Sequence, residues 1–265
     1  MRSPRLIAVV YLKNEIVVQS ENFSKFYPIG SLKKTLEYLN NWGIDEIIIL
    51  SIDGKYNHTQ LKNSIREIHL PITFGGNVRN TNDIKKLLDI GIDKISFNQL
   101  LRQNPKKILE FSKIYGNQFI VGSIDIKKNG NYYFEYDYKN KKVLNENIIK
   151  KIKSYQEYGI GEFFINFVDK DGLGKNLDLK LSKKIASSIS TPLIVCGGAK
   201  DINKIIQFYK LTSANPAIGN LFHHFENSAR LIKEQLFSEF KEIRDPEYKY
   251  YKLNNLEKIL GRNEN

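Results

Sequence analysis

The sequence predicts an α/β protein, a (β/α)8 TIM barrel with an internal twofold half-barrel repeat. Three observations predict it. Eight short apolar runs alternate with amphipathic helical stretches over most of the 265 residues, and such alternation indicates a parallel sheet covered on both faces. Eight βα units in about 250 residues match the size of a barrel. Landmarks of the first half also recur in the second half in the same order. The alternative is a doubly wound open sheet, which needs no closure of strand one onto strand eight.

The elements follow in order. RLIAVV is the first strand. Its N-terminal flank is basic, but the apolar run is too short for a signal sequence. AVVYLKNEIVVQS, from Ala8 to Ser20, carries that strand to Tyr11, breaks at polar residues and returns as a hairpin. SLKKTLEYLNNWG has apolar spacings of three and four and ends in glycine, which predicts a helix with its C-cap. EIIILS and PITFGG are strands two and three, TNDIKKLLDIG is a helix, and KISFN is strand four. FIVGSID is strand five. After it, KKNGNYYFEYDYKNKKV alternates aromatic and polar residues around Asn-Gly, which predicts a second hairpin. EFFINFV, PLIVCGG and PAIGN complete the eight strands. The barrel is assigned to residues 1–236. The charged segment 237–265, interrupted by Pro246, is assigned as a C-terminal extension.

Composition narrows the function. The net charge is +12, but the lysines are spread along the chain rather than gathered in a stripe. This disfavours nucleic acid as a partner and suits a phosphorylated small molecule. No apolar run approaches the roughly 20 residues of a membrane span, so no membrane association and a cytoplasmic location are expected. Cys196 is the single cysteine, which excludes an intramolecular disulfide and a thiolate metal cluster. The four histidines form no metal-ligand spacing, so no metal and no cofactor are expected.

Active sites of such barrels lie at the C-terminal ends of the strands. Gly75 and Gly76 follow strand three, and Gly197 and Gly198 follow strand seven. Paired glycines let backbone N–H groups approach an anion, and they also permit a tight turn. Asn98 and Asn220 stand one strand further on in each half, at the same spacing from the glycines. A matched device in each half predicts a ligand with two phosphates. In the repeat, Glu46 pairs with Glu162, and Tyr11 falls opposite Asp125. One half therefore has its acid and the other does not.

The twofold pattern, the Gly-Gly pairs, DKDG and SIDIKK resemble the cyclase subunit of imidazole glycerol phosphate synthase, over about residues 5–225. The resemblance implies catalytic aspartates at the ends of strands one and five. The second is Asp125; the first position holds Tyr11, and a loop lysine of the family falls on Gln19. It implies phosphate contacts at Gly75, Gly76, Asn98, Asp171, Gly172, Gly197, Gly198, Gly219 and Asn220. It further implies an ammonia gate of Arg5, Glu46, Lys94 and Glu162, each placed just before an apolar strand, and a docking aspartate for a glutaminase at Asp93. The partner implied is a separate glutaminase subunit, in a heterodimer. Losing one proton-transfer partner removes ~10²–10⁴ in rate, and a tyrosine near pKa 10 does not replace a carboxylate near 4 as a base.

The function expected first is a cyclase-like barrel that receives ammonia for amidation of a nucleotide-linked or surface-polysaccharide sugar by a separate sugar amidotransferase. The chain resembles the subgroup associated with such amidation, which also lacks the acid at the end of strand one. One alternative is a genuine cyclase–lyase of histidine biosynthesis. Another is a phosphosugar-binding or isomerase barrel without a glutaminase.

Overall fold

The structure is a computed structural model that describes residues 4–224, 228–240 and 243–244. Among the described residues there are twelve strands: β1 (Ile7–Lys13), β2 (Ile16–Glu21), β3 (Lys25–Gly30), β4 (Glu46–Ser51), β5 (Ile72–Gly75), β6 (Lys94–Phe97), β7 (Ile120–Asn129), β8 (Tyr132–Asp137), β9 (Lys142–Leu144), β10 (Glu162–Phe167), β11 (Leu193–Cys196) and β12 (Asn215–Ile218). The helices are α1 (Leu32–Asn41), α2 (His58–Ile65), α3 (Thr81–Leu88), α4 (Gln99–Gln103), α5 (Pro105–Tyr115), α6 (Ile148–Tyr155), α7 (Leu179–Ala186), α8 (Ile202–Thr212), α9 (Leu221–His224) and α10 (Ser228–Glu239).

Eight of the strands are parallel and close into a barrel in the order β1, β4, β5, β6, β7, β10, β11, β12. Closure comes from Ile7 and Ala8 of β1 paired with Ala217 and Ile218 of β12. That pairing removes the open-sheet alternative. The eight predicted apolar runs are these eight strands. No helix among the described residues is long and apolar enough to cross a membrane.

Alternation along β1 separates two apolar cores. Leu6, Ala8, Val10 and Leu12 pack outward with the helices, while Ile7, Val9 and Tyr11 pack inside the barrel with Ile48, Val121, Phe164, Ile194 and Ala217. The helices are capped as their sequences dictate. Asn80 and Asp83 form a reciprocal capping box at α3, and Asn57, Asn104, Asn147, Asp178 and Asp201 accept first-turn N–H groups of α2, α5, α6, α7 and α8.

Both predicted hairpins form at the C-terminal face. β1 turns into β2 at Asn14 and Glu15, with φ of 48° and 65°, as a two-residue hairpin turn requires. β7 turns into β8 around Gly130. Each hairpin acquires a further strand, β3 and β9, that the apolar pattern did not reveal: KFYPIG is largely exposed and KVL is too short.

α10 continues through position 236, where the sequence placed the domain boundary, to Glu239. Lys233 of this helix is fully buried and bonded to Asp45. Ile243 is buried as well, and the Arg244 guanidinium reaches the Ile44 carbonyl (3.1 Å) and Asp45 (3.3 Å). Most of the predicted extension, residues 245–265 with Pro246, lies outside the described residues.

Candidate functional site

Parallel strands bring all their N-termini to one face, and there the four charges stationed before strands meet. Arg5 bonds both Glu46 and Glu162. Lys94 also bonds both, at 2.8 and 3.0 Å. The result is a closed ring of alternating sign around the barrel axis. Glu46 is 2% exposed and gains a hydrogen bond from the Thr73 hydroxyl (3.1 Å). Burial would raise the Glu162 carboxyl; the charges of Arg5 and Lys94 outweigh it and hold the group below the usual carboxylate range.

At the opposite face, Asp125 near the middle of β7 is 7% exposed. Its two oxygens accept amide hydrogens from Asn166 (3.0 Å) and Asn98 (3.1 Å). Burial nevertheless dominates and pushes its pKa up to about 6. An acid with that pKa is divided between its two forms near neutrality and can give or take a proton. Asn166 was not singled out in the sequence. Its signal was a lone amide within the apolar run EFFINF of β10.

Tyr11 is 2% exposed and lies edge-on to Phe23 at 5.4 Å between ring centroids. Its hydroxyl sits 3.7 Å from the Cys196 sulfur. Burial drives the phenol well above its ordinary range and the Cys196 thiol up to about 12. Neither group is a base or a nucleophile at neutral pH. Tyr11 is packed into the apolar core of the barrel interior.

Two clefts open on this face. The first, of about 560 Å³, is lined by Gly75, Gly76, Asn77, Asn98, Ser123 and Asp125, with Arg79, Arg102, Lys139 and Lys141 around it. The second, of about 410 Å³, is lined by Asp171, Gly172, Gly197, Gly198, Gly219 and Asn220, with Lys200 and His224. The predicted phosphate residues are thus gathered into two sets. Asp171 belongs to the second cleft, where burial raises its carboxyl to about 6; it does not line the cleft that holds Asp125.

The glycines have a packing reason as well. A Cβ at Gly75 would come within 2.7 Å of the Leu50 side chain, and one at Gly76 within 2.7 Å of Ser51. A Cβ at Gly197 would press on the Phe167 carbonyl at 2.6 Å, with φ at +109°. Close strand-to-turn packing already requires glycine at these positions, so the cations and the cavity carry the argument for an anion.

Arg102 was also missed by sequence reasoning. It is bonded to Asp137 (3.1 Å) and Glu135 (3.6 Å) of β8 and donates to the Asn98 side-chain amide oxygen (3.4 Å). It pins the hairpin roof to the helix that follows Asn98. One arginine in an amphipathic helix gave no signal of this, because its partners are over thirty positions away.

The residues of both faces fall inside the match to one known family. A profile described as histidine biosynthesis protein matches residues 5–228. The chain belongs to that family. A protein of Campylobacter jejuni provisionally named imidazole glycerol phosphate synthase subunit hisF2 is 32% identical over 240 residues, covering 89% of this chain and 96% of its own. A protein of the same provisional name from Vibrio vulnificus is 31% identical, with 88% of each chain covered. Imidazole glycerol phosphate synthase subunit HisF of Lactococcus lactis subsp. cremoris is 29% identical, covering 89% of this chain and 94% of its own.

Within this histidine biosynthesis family chain, the remaining expected positions are engaged locally. The Gln19 amide lies 2.7 Å from a ring nitrogen of His224. The Asn220 amide donates to the Ser20 carbonyl at 2.6 Å. Asp93 is exposed beside the charged ring and accepts the Ile72 N–H at 2.7 Å.

Proposed function

We propose that this chain is the barrel subunit of a glutamine amidotransferase complex. A separate glutaminase docks at the charged-ring face, with Asp93 at the contact, and its ammonia enters through the ring of Arg5, Glu46, Lys94 and Glu162. The first cleft, with Asp125, Gly75, Gly76 and Asn98, receives a phosphorylated small molecule; Asp171, Gly172, Gly197, Gly198, Gly219 and Asn220, the other phosphate positions that the resemblance implies, line the second cleft. The ammonia serves amidation of a sugar, nucleotide-linked or destined for a surface polysaccharide, by a separate sugar amidotransferase. The observation that carries this reading is a contrast between the two faces. The four ring residues keep their charge types and bond to one another, while the strand-one catalytic position holds the buried Tyr11. The relatives' names, which call them subunits of imidazole glycerol phosphate synthase, support the glutaminase partner.

The test is to co-express the chain with the glutaminase subunit encoded nearest to it and measure glutamine hydrolysis. Copurification and an activation of about tenfold or more are expected, and Lys94→Glu should abolish the activation while Arg79→Ala leaves it. If glutamine hydrolysis is unchanged and the two chains do not copurify, the reading fails. A second reading, a working cyclase–lyase of histidine biosynthesis, is favoured by one observation: Asp125 retains two amide partners and a pKa about 6. Growth of a histidine auxotroph lacking its own cyclase, when supplied with this chain, would select that reading over the first.

A further inference from the structure

The two clefts at the C-terminal face have no lining residue in common. Phe23 and Tyr138 line the first cleft, and the Tyr11 hydroxyl lies 3.7 Å from Cys196, which lines the second; the three rings form one cluster. Phe23 meets Tyr11 at 5.4 Å and Tyr138 at 4.8 Å, edge-on to both, and Phe26 backs the cluster at 6.1 Å from Phe23. Tyr11 and Phe23 are buried, and both belong to the core of the barrel interior. We propose that the first cleft takes a sugar carrying a single phosphoryl group, and that the wall of Tyr11, Phe23 and Tyr138 stops one bisphosphorylated ligand from bridging both clefts. The inference rests on the reading above that the first cleft takes a phosphorylated molecule.

The wall is held in place at a cost. Asn22 and Phe23, in the turn between β2 and β3, have φ of 53° and 51°. Left-handed backbone in a non-glycine residue costs about 1 kcal/mol or more and persists where the surroundings over-determine it. Here the surroundings are the second cleft itself. The Asn22 N–H donates to the Asp171 carbonyl (2.8 Å), and the Phe23 N–H donates to the Asp171 carboxylate (3.3 Å). The Asn220 amide donates to the Ser20 carbonyl (2.6 Å), and a side chain at Gly172 would run into that same carbonyl. Asp171, Gly172 and Asn220 therefore hold the turn that carries Phe23.

Charge separates the clefts in the same sense. Arg79, Arg102, Lys139 and Lys141 line the first against Asp53 and Asp125. Arg102 is matched by Glu135 and Asp137, which leaves Arg79, Lys139 and Lys141 to attract an anion. The second cleft offers Lys200 and includes the carboxyl of Asp171.

Affinity measures the wall directly. Two phosphates engaged at once on one scaffold would gain ~10²–10⁴ over either alone. With bridging prevented, a bisphosphate gains at most a factor of about two, for having a second end that can enter the same cleft. The experiment titrates the full chain calorimetrically with a pentose 5-phosphate and a pentose 1,5-bisphosphate. Both are expected to bind once per chain, with affinities within about threefold of each other. Arg79→Ala should weaken both by about fivefold or more, and Lys200→Ala should change neither. A bisphosphate preference of about a hundredfold, or loss of binding in Lys200→Ala with none in Arg79→Ala, overturns the inference and leaves the phosphate reading standing. No binding of either sugar overturns both. The glutaminase assay is independent of all these outcomes.

Discussion

Asp125 shows how one residue can be read at two levels. Its position at the mouth follows from strand alternation, but its chemistry follows from burial. Two amide donors favour the carboxylate, yet desolvation outweighs them and the pKa rises from 3.8 to about 6. A raised acid pKa means that the folded state binds its proton more tightly than the unfolded chain. The associated stability is fully present below the unfolded value and is lost as pH rises through about 6. A shift of this size corresponds to roughly 3 kcal/mol. Asp125→Asn removes the titration. Its melting temperature relative to the unmodified chain should therefore rise between pH 4 and pH 7. Parallel melting curves at both pH values, with no change in the difference, would refute the buried-carboxylate account. Tyr11 is the counterpart: it cannot titrate usefully where it lies, and its contribution is ring packing.

Among the elements, the N-terminal edges of β1, β4, β6 and β10 matter most, because they carry the ring. Breaking a buried ion pair by removing one partner costs ~3–5 kcal/mol, since the other charge is left uncompensated. Glu46→Ala should destabilise the chain by about this amount, because Arg5 and Lys94 would then share only Glu162. Glu46→Gln should cost less, because its amide oxygen can still accept from Thr73. Urea unfolding of the two variants measures the difference. Equal and negligible losses would mean that the ring contributes no stability.

For the whole molecule, the question is where the barrel ends. α10 buries Ala229, Ile232 and Leu236, and its Lys233 bonds Asp45, which also accepts the Leu6 N–H (2.8 Å). Asp45 thereby joins the helix to the start of β1. α10 thus packs on the barrel beyond position 236, and Ile243 and Arg244 pack there as well. A chain ending at 227 should lose about 5 kcal/mol or more, from exposed apolar surface and an orphaned Asp45. Thermal melts of this truncation against the full chain check the loss, and an unchanged melting temperature would mean that α10 contributes no stability.

The sequence alone determined the eight strands, both hairpins, the family and the four charges of the ring. The strands, hairpins and charges are written locally, as apolar runs, polar breaks such as Asn-Glu and Asn-Gly, and a charge just before a strand, and parallel strands bring like ends together whatever their loops contain. Tertiary structure decided what local pattern cannot express. The pairing of Arg102 with Glu135 and Asp137, the amide of Asn166 on Asp125, and the placing of Phe23 against Tyr11 and Tyr138 join residues distant in the chain. Burial depends on neighbours from many strands at once, and so do the pKa of Asp125 and the division of the mouth into two clefts.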